Sequence, residues 1–127
     1  MALAWPGPRA PLVLETPAGE GEVCATFEEF AGFFRRVRAQ APAGRLLACV
    51  DTAHVWAAGY WPLDYLERWE AEVGLDALAL VHFNDSKLGR GSRRDLHEVP
   101  GRGAIGPDHM LRVALWCEAR GVPYVFE

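Results

Sequence analysis

Four short apolar runs, Leu12–Leu14, Leu46–Val50, Leu78–Phe83 and Val122–Phe126, constrain this chain most. Each is nearly continuous rather than alternating, which suits strands of a parallel sheet buried on both faces. Helical stretches separate them. In TFEEFAGFFRRVRAQ, Thr26 and Glu29 have the spacing of a capping box, and Phe27, Phe30, Phe34 and Val37 recur at helical period. Arg35, Arg36 and Arg38 fall toward the end of that helix, where the macrodipole favours cations, and Ala41-Pro42 stops it. A second helix is expected over Leu63–Val73, with Pro62 at its start and Gly74 at its end. A third is expected from Pro107 to about Ala119, with Gly121 just beyond. The order is strand, helix, strand, helix, strand, long loop, helix, strand. That succession predicts an α/β fold with four parallel strands and intervening helices.

The polar residues that end these runs carry the chemistry. Glu15 follows the first run and Asp51 the second; His54 lies three residues on, His82 sits near the end of the third, and Glu127 follows the fourth. In parallel α/β folds the carboxyl ends of successive strands converge on one face. The long loop adds Asp95 and His97 as an Asp-x-His pair, so seven carboxylates and imidazoles from separate segments could meet. Carboxylate plus imidazole without cysteine suits catalytic zinc or a related divalent ion. Each residue also has a plainer reading. Asp51 could cap the turn after its strand, and Glu15 and Glu127 could be solvated loop acids. His82 ends an apolar run where a hydrophobic residue would be usual, and His109 reads as a surface or packing residue.

Composition narrows the class. The 127 residues suffice for one domain, half of them are apolar, and no apolar run reaches the roughly 18 residues needed to cross a bilayer. The opening MALAWPGPRAP lacks the layout of a secretory signal, so an intracellular, cytoplasmic protein is the expectation. Cys24, Cys49 and Cys117 are odd in number and form no C-x-x-C pair, which argues for free thiols. The net charge of −4 is not that of a typical nucleic-acid binder, but it is unevenly spread. Lys87, Arg90, Arg93, Arg94 and Arg102 face only Asp95 and Glu98 in the same stretch, and bound cations would offset the clustered acids.

Four stretches resemble the endonuclease IV family. CVDTAHVWAAGY at 49–60 is similar to that family's Asp-Thr-x-His turn. HFNDSKLGRGSRRDLHE at 82–98 reproduces its His-x-Asn-Asp-Ser-Lys run followed by Gly-Ser-x-x-Asp-x-His. GRGAIG at 101–106 resembles its Gly-x-Gly-x-Ile-Gly turn, and ETPAGEG at 15–21 its glutamate-containing loop. The resemblance implies a TIM barrel with up to three zinc ions that cuts DNA on the 5′ side of abasic sites. On this resemblance Glu15 is a carboxylate shared between two zincs, Asp51, His82 and Glu127 complete one shell, and His54, Asp95 and His97 hold a further ion. Two sites would then have full ligand sets, with Glu15 and Glu127 as the catalytic carboxylates. Asn84, Asp85 and Ser86 are expected to orient His82 or its neighbours. Lys87, Arg93 and Arg94 are expected to meet DNA phosphates or to lie in a solvated loop.

The resemblance covers only the C-terminal half of such a barrel. Residues 1–127 are therefore expected to form one partial (half) TIM barrel, lacking the two histidines of the remaining zinc. Its open edges predict a need for a complementing N-terminal half or a second copy. Two other readings stand beside this one: a xylose isomerase-like sugar isomerase or epimerase with a single manganese or magnesium, and a non-catalytic truncated remnant.

Overall fold

A computed structural model describes residues 10–21 and 23–127. The opening stretch 1–9, read above for a secretory signal, lies outside them. Strand β1 (Leu12–Glu15) leads to helix α1 (Phe27–Arg38), strand β2 (Leu46–Asp51), a short helix α2 (Thr52–Ala57) and helix α3 (Pro62–Glu72). Strand β3 (Leu78–His82) follows a single 3₁₀ turn, then come β4 (Asp85–Ser86), β5 (His97–Glu98), helix α4 (Pro107–Arg120) and β6 (Tyr124–Val125).

Four strands form one sheet in the order β1-β2-β3-β6, and every pairing is parallel. The expected α/β architecture of a partial barrel is therefore present. The fourth strand is shorter than its apolar run. Its ladder nonetheless extends through Val81 N–H to the Pro123 carbonyl and Phe83 N–H to the Val125 carbonyl, at 2.9 and 2.7 Å. Among the described residues no helix is long and apolar enough to cross a membrane.

Local chemistry explains the helix ends. Thr26 accepts from Glu29 N–H at 3.1 Å, while Glu29 accepts from Thr26 N–H at 3.2 Å, closing the capping box. Pro62 and Pro107 occupy first turns, and Gly121 ends α4 in the left-handed conformation. The helix-facing side of the sheet buries Leu46, Ala48, Val50, Leu78 and Val81. Against it α1 and α3 join through Phe27, Phe30 and Phe34, whose rings surround Trp69 at centroid distances of 6.3, 5.8 and 5.2 Å. That packing fixes the strands, and the strands fix where their last residues point.

The opposite face is less covered. Val13 on β1 and Val125 on β6 are exposed, as are Leu12 and Phe126 beside them, so both outer strands carry apolar surface into solvent. The long loop after β3 differs from expectation in one respect. Its two ends pair as an antiparallel β4–β5 ribbon, with Asp85 opposite Glu98 and Ser86 opposite His97.

A candidate metal centre at the strand ends

Register places the ligands. Glu15 pairs with Cys49, Asp51 with His82, and His82 with Val125, so the last residues of three strands lie side by side. Glu127 lies two residues beyond Val125 and its side chain joins them. His82 Nδ1 lies 2.7 Å from Glu15 Oε1, 3.2 Å from Glu127 Oε1 and 3.8 Å from Asp51 Oδ2. Ligand atoms of Glu15, Asp51, His82 and Glu127 all lie within 4.8 Å of one another.

A second group adjoins the first. His54 Nε2 is 3.4 Å from His97 Nε2, and each is 3.7 Å from Asp51 Oδ2. Asp95 reaches both rings, Oδ2 to His54 at 3.1 Å and Oδ1 to His97 at 2.8 Å. All seven residues singled out from the sequence are therefore brought together. Asp51 belongs to both groups and is fully buried.

Hydrogen bonds hold these side chains in place. His54 Nδ1 bonds the Thr16 carbonyl at 2.7 Å, which as a donor fixes the tautomer leaving Nε2 as the acceptor facing the cluster. Thr16 also accepts from Asp51 N–H through its hydroxyl. Asp51 Oδ1 accepts from His54 N–H at 3.0 Å and caps α2, while Oδ2 accepts from Asn84 Nδ2 at 2.9 Å. Asn84 Oδ1 in turn accepts from Glu127 N–H. Thus Asn84 orients Asp51 and Glu127, as expected for a neighbour of His82. Ser86 instead accepts from Leu88 N–H, and Asp85 turns away to the 101–106 loop, so neither orients His82. Thr16 and Glu20, which accepts from Asp95 N–H, are supporting residues that sequence reasoning missed.

Electrostatics favour a cation here. Among the described residues, every ion pair of Glu15, Asp51, Asp95 and Glu127 is with a histidine, never with lysine or arginine. Burial raises the Asp51 pKa against the pull of His54, His97 and Asn84. Burial opposes the charged form of His54, yet Asp51, the Thr16 carbonyl, Asp95 and Glu15 outweigh it and raise its pKa. Below the cluster, burial and then the Glu15 charge push the Cys49 thiol up to about 12. The spacing also fits. Zinc bonds of about 2.0–2.1 Å put tetrahedral ligand atoms about 3.3–3.4 Å apart, the range these contacts straddle.

Lys87, Arg93 and Arg94 are all exposed, and Arg93 also donates Nε and Nη2 to the Gly19 carbonyl at 3.1 and 3.0 Å. Arg93 takes a left-handed φ of 60°, and its N–H donates to the Ala57 carbonyl, so it ties its loop to the end of α2 as well as to Gly19. His109 accepts from Leu63 N–H at 3.1 Å and packs on Trp61, a structural role.

Parallel strands that deliver carboxylates and imidazoles to a shared end form a candidate metal centre in an α/β-barrel framework. The profile described as xylose isomerase-like TIM barrel matches residues 8–125, and the chain belongs to that family. A probable endonuclease 4 of Methanosphaera stadtmanae is 34% identical over 121 residues, covering 91% of this chain and 43% of the relative. That of Exiguobacterium sibiricum is 40% identical over 121 residues, covering 91% and 40%. The crystal structure of endonuclease IV from Thermus thermophilus superposes with a TM-score of 0.75 at 38% identity, covering 91% of this chain and 42% of that one. The chain thus spans about two fifths of the length of the curated relatives it matches.

Proposed function

We propose that the chain is the C-terminal part of a zinc-dependent DNA-repair nuclease that cuts the backbone on the 5′ side of abasic sites. The observation that carries this reading is the meeting of seven acids and imidazoles in two adjoining groups that share Asp51. Two groups favour at least two ions, which suits phosphodiester cleavage better than the single ion of a sugar isomerase. The relatives named as probable endonuclease 4 support the same substrate class.

Glu15, Asp51, His82 and Glu127 would hold one ion, and His54, Asp95 and His97 with Asp51 another. Zinc bound there would supply an activated hydroxide and neutralise charge on the leaving 3′ oxygen. Glu15 and Glu127 are the partly exposed carboxylates of the first group and would serve as its catalytic carboxylates. Thr16 and Asn84 keep His54, Asp51 and Glu127 in position. Lys87 and Arg94 would meet phosphates, a contact that adds affinity without reading sequence. Arg93, also exposed, would meet phosphate as well while its Gly19 contacts hold the 16–21 loop against its own.

The exposed outer strands suggest that activity needs complementing strands, from an N-terminal half or a second copy. A duplex carrying one tetrahydrofuran abasic site tests this. The zinc-loaded chain alone should leave it intact, and adding the N-terminal half of the Thermus thermophilus enzyme should produce incision 5′ to the lesion. Robust turnover by the isolated chain would refute the need for a partner. An uncut duplex with a completed, zinc-loaded barrel would refute the nuclease reading.

A further inference from the structure

Asp85 is entirely buried, and among the described residues its carboxylate makes no ion pair. Backbone amides surround it instead. Oδ1 accepts from Ser86 and Ile105 N–H, both at 2.8 Å, and Oδ2 from Gly101, Gly103 and Gly106 N–H at 3.0, 3.1 and 3.2 Å. Four of these donors belong to a six-residue segment without helix or strand. Amides gathered this way form a nest for an anion, and here the anion is the chain's own carboxylate.

The nest is pressed against β4. Ala104 N–H donates to the Ser86 carbonyl at 2.7 Å. A Cβ at Gly103 would stand 2.4 Å from Ser86 O and 2.5 Å from Asp85 Oδ1, so only glycine permits this approach. Strand β4 consists of Asp85 and Ser86 alone, and Ser86 is the ladder partner of His97. Lys87 N–H to the Leu96 carbonyl, at 2.9 Å, continues the ribbon. His97 therefore reaches His54 and Asp95 on a two-residue strand whose partner is anchored by one carboxylate.

We propose that Asp85 is a positioning residue of the metal centre, pinning the 101–106 loop beneath β4 so that β5 presents the His97 ring to His54 and Asp95. It touches no metal ligand atom itself. The inference rests on the metal-centre reading above, and it assigns a cause to the placement of one group rather than both. Asp85→Asn is the probing change. The side chain keeps its shape, but an NH₂ would face either two or three of the five N–H donors, depending on which oxygen it replaces.

Hydrogen exchange and zinc titration of the full chain test this, with the His82 and His97 imidazole resonances reporting the two groups separately. In the native chain the amides of Gly101, Gly103, Ile105 and Gly106 should be protected despite lying in a loop. In Asp85→Asn they should exchange faster, and zinc affinity at the His97 group should fall roughly 10–100-fold, the usual cost of losing an outer support. The His82 group should keep its affinity. Equal weakening of both groups would reduce Asp85 to a general structural role, and an unchanged His97 group would remove any role in positioning; either overturns the proposal. Should the variant fail to fold, unprotected loop amides in the native chain overturn it equally. A native chain that takes up no zinc, with those amides still protected, would remove the metal-centre reading and this inference with it.

Discussion

Asp51 holds two offices at once. One oxygen caps α2 through His54 N–H, and the other faces Asn84 and three imidazoles. Capping and metal ligation, which the sequence leaves as alternatives, are compatible here, because a carboxylate has two oxygens and the strand end aims them apart. Asparagine caps as well as aspartate but carries no charge. Asp51→Asn should therefore keep the α2 cap, lower the melting temperature of the metal-free chain modestly because its NH₂ would face the Asn84 NH₂, and lose zinc from both groups, as elemental analysis and thermal melts would read. Zinc binding equal to the native chain would contradict the shared-ligand geometry. His109 makes a separate contact that acid would break. Burial, then repulsion from Arg112, lowers the His109 pKa, and its Nε2 must stay unprotonated to accept from Leu63 N–H. A depressed histidine contributes stability that is complete above its unfolded value of about 6.5 and is lost as pH falls toward the folded value. Melts between about pH 7.5 and 5.5, which bracket that value, should show a smaller decline for His109→Gln than for the native chain. Parallel declines would exclude His109 as the cause.

At the level of elements, the long ones are readable in the sequence and the short ones are not. Helix α1 is marked by four aromatic or apolar positions at one period and a capping box, and both features are present. Thr26→Ala should cost about 1 kcal/mol, the usual value of an N-cap. Phe34→Ala should cost about 3–5 kcal/mol, because it empties a fully buried site against Trp69. Denaturant unfolding that reversed this order would challenge the packing described. Helix α2 is not legible because six residues show too little periodicity, and its N-cap is disguised as a strand end. The β4–β5 ribbon is equally hidden, since two residues per strand carry no alternation; only tertiary contacts with the 101–106 loop create it. Asp85 is misleading for the same reason. Its closeness to His82 in sequence suggests a common purpose, whereas its carboxylate is taken up by the amides of the 101–106 loop. The meeting of Glu15, Asp51, His82 and Glu127, by contrast, is legible, because strand ends in a parallel sheet leave little choice about where they converge, whereas Asp95 and His97 are reached only through the family resemblance.

For the molecule as a whole, the sheet ends at β1 and β6, yet Glu15 and Glu127, one from each border, both touch the His82 ring. Those two positions are 112 residues apart, from 127 − 15. An ion held by both would work as a buckle, cinching the first strand to the last and keeping the sheet curled without any disulfide. Closing so long a span by coordination links metal uptake directly to folding. Zinc at about a thousandfold excess over its dissociation constant should raise unfolding free energy by about 4 kcal/mol, and Glu127→Gln should blunt that gain. Calorimetry with and without zinc reads both; identical melts would mean that the buckle never fastens.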